Sequence, residues 1–144
     1  MGYCAQADLS ARFGDEELKQ LTDETNVPPT TIDATEVSNA CAEATSLIDG
    51  YLRARYTLPL TTVPDVLKKW ACDIARFYLW DDRAGEGTPV REAYKDAVKQ
   101  LEAVAKGTFA LVSSSGTDAS QGSGSMAIST SDRVFTDDLL SLMP

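Results

Sequence analysis

Apolar residues recur every three or four positions along three stretches of this 144-residue chain, which predicts three long amphipathic helices. In the first, Val37, Cys41, Ala44, Ile48, Tyr51 and Leu52 form one stripe. It predicts a helix from about Thr35 to Arg55, capped by Asp33 or Thr35, with Glu36 in its first turn. Gly50 inside that helix points to a neighbour packed closely against it. The second helix runs from Pro64 or Asp65 to Asp82, on Val66, Leu67, Trp70, Ala71, Ile74, Phe77 and Tyr78, and opens with a proline suited to a first turn. The third follows "AGEGT", starts near Pro89 and stops at Gly107, with a stripe of Val90, Ala93, Tyr94, Ala97, Val98, Leu101 and Val104. The expected heart of the core is Val37, Ile48, Leu52, Trp70, Ile74, Phe77, Tyr94 and Leu101.

Shorter elements precede these. "ADLSARFGDEELKQLTD" predicts two short helices, one capped by Asp8 and ended by Gly14, the next capped by Asp15. Leu9, Phe13, Leu18 and Leu21 form their inner side. "ETNVPPTTID" is a turn, since Pro28 and Pro29 forbid helix. Beyond the third helix, "SSSGTDASQGSGS" (113–125) is too polar to bury anything, and apolar content returns only in "MAISTSDRVFTDDLLSLMP". The expected fold class is therefore mainly α: a small helical bundle of three longer helices plus short N-terminal helices, with a flexible Gly/Ser linker and an extended C-terminal arm. Residues 1–108 would be the helical domain, 109–125 the linker and 126–144 a docking arm.

Charge adds a polarity. The net charge is −9 and the pI about 4.4, which argues against a partner held by phosphate contacts. Residues 1–64 hold 4 basic and 10 acidic side chains, 65–106 hold 8 of each, and 107–144 hold 1 and 4. The middle is neutral and suited to ion pairs; both flanks are acidic. No window resembles a membrane span or a secretory leader, so the reading is a soluble protein made in a cytoplasm, with no membrane partner.

Candidate chemistry changes little. With no histidine, the usual general base near neutral pH is missing, as is any triad or zinc set built on it. Cys41 and Cys72 fall on apolar stripes and read as buried thiols, while Cys4 falls in a fraying end. A calcium loop starting at Asp23 would need Thr25 and Val27 as ligands and a glycine where Pro28 stands, so it fails. In "WDDR", Asp81, Asp82 and Arg83 read as surface charges at a helix end, with Asp73 placed to pair with Arg76. The expectation is no enzyme, no catalytic or metal-binding residue and no cofactor. Arg53, Arg55 and Tyr56, in "IDGYLRARYTLPL", admit two readings. Asp49 can pair with Arg53 while Tyr51 and Tyr56 cap the core, or the three residues anchor an interface, where Arg and Tyr are enriched.

Four blocks in order, "LSARFGDEELKQLTD", "IDGYLRARYTLPL", "VLKKWACDIARFYLWDDR" and "VREAYKDAVKQLEAVAKG", together with "TSDRVFTDDLL" near the end, closely resemble the Mu-type tailed-phage head–tail connector (head-completion adaptor) family. The Gly/Ser stretch and the "ETNVPPTTID" loop depart from that pattern, so no ion binding is carried over. The resemblance implies a virion protein of the neck, at the head–tail interface. Its copies would form a ring, commonly of about twelve, between the portal protein and the next neck or tail-completion protein. Such a ring extends the channel through which genomic DNA passes without sequence-specific binding. Arg53, Arg55, Tyr56, Arg133, Val134, Phe135, Leu139, Leu140 and Leu142 become candidates for the subunit or portal interface, and Glu16, Glu17, Asp23 and Glu24 for channel-lining acids. The rival reading is a soluble acidic binding or regulatory module acting as a monomer or dimer.

Overall fold

A stripe of apolar side chains on one helix is shielded best by the stripe of another. The computed structural model, which describes residues 2–112, packs the three long stripes in this way. In chain order the helices are α1 (Gln6–Phe13), α2 (Asp15–Thr22), α3 (Ala34–Leu52), α4 (Asp65–Trp80) and α5 (Pro89–Lys106), with a 3-10 turn at Asp81–Arg83. No extended strand occurs among the described residues. The Gly/Ser stretch and the proposed arm, 113–144, lie outside them.

Helix α4 is the centre. Leu67, Ala71, Cys72, Ile74 and Ala75 have no solvent exposure, and Trp70 is buried. Burial on so many sides is possible because α3 and α5 flank α4 and also touch each other, while α1 and α2 rest on it as well. Each fully buried branched side chain contributes roughly 1.5–3 kcal/mol. Val37, Ile48, Leu52, Ile74 and Leu101 are all fully buried. Phe77 and Tyr94, expected in the core, are only half-buried. They stack on each other at 4.1 Å along the outer α4–α5 seam, where Tyr78 joins them.

Helix boundaries follow local chemistry. Asp33 caps α3, accepting from the Thr35 and Glu36 amides. Thr88 caps α5 ahead of Pro89, and Gly107 closes it at φ 82°, the left-handed conformation that favours glycine. Asp8 is not the cap of α1. It lies within the first turn and accepts from the Ala5 amide at 3.0 Å, so the helix starts at Gln6. Gly14, not Asp15, holds the N-cap position of α2. Helix α3 ends at Leu52 and α4 at Trp80, each slightly earlier than the apolar spacing suggests. The close neighbour expected at Gly50 is not found among the described residues: a Cβ there would meet no atom within 4 Å outside its own helix backbone. Phe109 to Leu111 belong to the helical domain and not to a linker. Phe109 lies 6.0 Å from the Trp70 ring, and Leu111 is buried with its amide donating to Tyr56 Oη at 2.9 Å.

Candidate interaction surfaces

The turn between α2 and α3 is wound around one carboxylate. Asp23 Oδ1 accepts from the amides of Thr25 and Asn26, and Oδ2 from the amides of Thr30 and Thr31, at 2.9–3.2 Å. The Asn26 side-chain amide and the Thr25 and Thr31 hydroxyls add further donors. The Asn26 side chain, followed by the Thr30 and Thr31 amides, holds the Asp23 carboxyl well below the usual carboxylate range. Thr22 Oγ1 accepts from the Asp33 amide at 3.0 Å, which closes the loop at its base. Pro28 and Pro29 have no N–H to contribute and form the outer side. Val27, beside them, is 97% exposed. Asp23 is thus no channel-lining acid: it is buried, and both oxygens already serve the loop.

A cleft of about 470 Å³ runs beside this loop, where α3 meets the end of α4. Glu24, Glu36, Glu43, Asp81 and Asp82 line it, against a single arginine among the described residues, Arg83. A second hollow, lined by Glu43, Asp81, Asp82 and Arg91, adjoins it through shared residues. Asp81 adopts φ 45°, a conformation that L side chains rarely take. The periodicity of α3 says nothing of this gathering of acids. The available signal is a run from Gln20 to Leu52 with six acidic side chains and no lysine or arginine.

The other expected acids have local employment. Glu17 receives Arg76 in a two-point ion pair, and Trp80 Nε1 donates to it at 2.9 Å. Burial raises the Glu17 pKa, but the bonds from Arg76 and Trp80 outweigh it and hold the carboxyl below its ordinary value. Glu16 is exposed and pairs with Lys19 at 2.9 Å. Asp73 pairs with Lys69 at 2.9 Å, not with Arg76.

At the opposite end, Tyr56 is buried and its hydroxyl receives the Leu111 amide, so it closes the core and is not an exposed anchor. Arg55 is exposed, with its guanidinium lying across Gly107. Arg53 is exposed as well. Asp49 does not serve it; the Asp49 carboxylate accepts a short hydrogen bond from the Tyr3 hydroxyl. Burial, together with that carboxylate, pushes Tyr3 well above the usual phenol range. Arg133, Val134, Phe135, Leu139, Leu140 and Leu142 fall outside the described residues.

The three thiols are all buried, including Cys4, which is held over the core and not frayed. Hydrogen bonding with Cys41 and Cys72, and then burial, pushes the Cys4 pKa far up, so it stays a thiol. Among the described residues no group of three or more acidic or thiol side chains is placed to hold a metal ion.

The sequence matches the family described as "Bacteriophage Mu, Gp36" over residues 3–129, a span that runs through all five helices. The chain belongs to the Bacteriophage Mu Gp36 family. Relatives of this Gp36-family chain include "Gene product J" of Escherichia phage Mu, 39% identical over 107 residues, which is 74% of each protein. The "Mu-like prophage FluMu protein gp36" of Haemophilus influenzae is 42% identical over 80 residues, 56% of this chain and 55% of that one. The kinship to Mu-type phage proteins that the four sequence blocks suggest is therefore shown. Among the described residues of this Gp36-family protein, no helix is long and apolar enough to cross a membrane.

Proposed function

We propose that this Gp36-family chain is a structural protein of the virion neck, an adaptor without catalytic function or cofactor. Its copies form a ring, of about twelve subunits, between the portal and the next neck or tail component, and the ring extends the DNA channel. Family membership supports the phage setting. The observation that carries the rest is the cleft where Glu24, Glu36, Glu43, Asp81 and Asp82 converge with little positive charge to answer them. Carboxylates facing a channel repel phosphate and let DNA slide, whereas lysines and arginines would hold it. The channel-lining acids are thus Glu24 and the other acids of this cleft.

The same cleft would suit a basic protein partner, which is the rival reading of an acidic binding module. One experiment separates the two. Particles made without this protein should accumulate as DNA-filled heads lacking tails, and electron microscopy of normal necks should show its helical bundle in a ring below the portal. Normal tailed particles in its absence would overturn the adaptor reading and favour the module.

A further inference from the structure

Val27 is the most exposed large apolar residue among those described, and it sits on a loop that eight hydrogen bonds to Asp23 hold in one shape. A fixed apolar tip in water gains from a pocket, and rigidity lowers the entropic cost of entering one. At the far end of α3 there is such a pocket. Leu58, Pro59, Leu60 and Val63, with Tyr3 and Asp49, line a hollow of about 270 Å³. It differs from the clefts near the loop, which carry Glu24, Glu36, Asp81 and Asp82. Helix α3 separates the two: its N-cap Asp33 borders the loop and Asp49 borders the pocket, about 22 Å further along the axis, so a molecule does not fill its own pocket with its own tip.

We propose that the Val27–Pro28–Pro29 tip of one copy seats in the Leu58–Val63 pocket of the next. The occupant is a second copy of this chain because the charges at the two ends match. The tip is flanked by exposed Glu24 and Asp33, within the stretch from Gln20 to Leu52 that has no basic residue. Exposed Arg53, at the C-cap of α3, stands one turn beyond Asp49, whose own carboxylate is taken by the Tyr3 hydroxyl. Opposite charges steer the right ends together and keep two tips apart. Tip-into-pocket is a head-to-tail contact between two different patches, the kind that closes into a ring. The inference therefore deepens the ring reading and rests on it.

The test uses the full chain in phage particles. Val27→Cys and Leu58→Cys are introduced singly and together, the particles are mildly oxidised, and the products are run without reductant. The native thiols are buried and stay silent. The double variant should give a ladder of covalent dimers, trimers and larger species, while each single variant stays monomeric. Val27→Asp should lower the yield of tailed particles by about tenfold, with the purified protein's melting temperature unchanged, since Val27 makes no core contact. If Leu58→Cys lowers the melting temperature, Val63→Cys takes its place.

Dimers from Val27→Cys alone would mean that two tips meet, and would overturn the proposal. So would a cross-link from Leu58→Cys alone to another particle protein, which assigns the pocket to a different occupant. A monomeric double variant in particles whose neck ring is visible overturns this contact and leaves the ring standing. Particles with no ring overturn both.

Discussion

Arg76 on α4 grips Glu17 on α2 at two points, Nε to Oε1 at 2.6 Å and Nη2 to Oε2 at 2.9 Å. The guanidinium also lies 4.3 Å from the centroid of the Phe13 ring on α1. One side chain thus ties both short helices to the bundle. Such a paired, partly shielded contact is worth more than an exposed ion pair. Arg76→Ala should cost about 1–3 kcal/mol and Glu17→Gln about 1 kcal/mol, read by urea unfolding. The folded-state pKa of Glu17 is lowered, so its contribution is present above the unfolded carboxyl range near pH 4.3 and fades as pH falls through the folded value. The Glu17→Gln penalty should therefore be largest near pH 7 and shrink below about pH 4. An equal penalty at both would remove the ionic account.

Gly107 meets the Arg55 guanidinium where a Cβ would stand, and its backbone is left-handed at φ 82°. Gly107→Ala should cost about 1–2 kcal/mol, part for the backbone and part for displacing the arginine. The penalty should be smaller in an Arg55→Ala background, because only the backbone part remains. Equal penalties in both backgrounds would show that the arginine simply swings clear.

The three long helices were legible because burial repeats along them at the helical period. Pro64, Pro89, Asp33 and Gly107 also mark their ends in ways that need no tertiary partner. What could not be read depends on neighbours far away in the chain. Tyr56 reads from the sequence as either a core cap or an interface anchor, and only Leu111, which donates to its hydroxyl from far along the chain, decides for the core. Asp49 has Arg53 four residues on, yet the Tyr3 hydroxyl claims it. Asp23 resembles any surface acid, and only the path of the loop turns the amides of Thr25, Asn26, Thr30 and Thr31 toward it. The acids of the cleft come from a loop, a helix and the turn after another helix, and no spacing rule links them.

Cys4, Cys41 and Cys72 share one buried region, so their chemistry is gated by unfolding. Reaction with a water-soluble aromatic disulfide should be at least about 100-fold slower in native buffer than in strong denaturant, for all three thiols. A fast phase equal to one thiol in native buffer would mean that Cys4 leaves its site readily, and that residues 2–5 open apart from the bundle.

Asp81 occupies φ 45° without being glycine, directly after α4 and on the wall of the acidic cleft. Such a residue costs of order 1–3 kcal/mol, which the surrounding structure must offset. Asp81→Gly should therefore stabilise the fold by about 0.5–1 kcal/mol, after the extra freedom of glycine in the unfolded chain is deducted. Asp81→Ala, which keeps a Cβ, should show no such gain. If the cleft faces DNA, both variants should slow genome ejection by weakening the repulsion, whatever they do to stability. A gain from both variants in thermal melts would place the cost in the charge of Asp81 and not in its backbone.

Asp23 gives the loop its shape only while ionised, since every partner it has is a donor. Its folded-state pKa is strongly lowered, so its stabilising effect is complete above the unfolded aspartate value near 3.9. The effect is lost as pH falls below that value toward the folded one. Asp23→Ala should reproduce the acid effect at neutral pH. The amides of Asn26, Thr30 and Thr31 should exchange with solvent at least about tenfold faster, while those of Ile74 and Leu101 in the core keep their protection. That contrast checks the local nature of the effect, because a variant that loosened the whole bundle would speed both sets alike. It also links to assembly. If the Val27 tip seats in a neighbour, loss of the Asp23 carboxylate should impair ring formation though Val27 itself is intact, because the tip would no longer be held in the shape that enters the pocket.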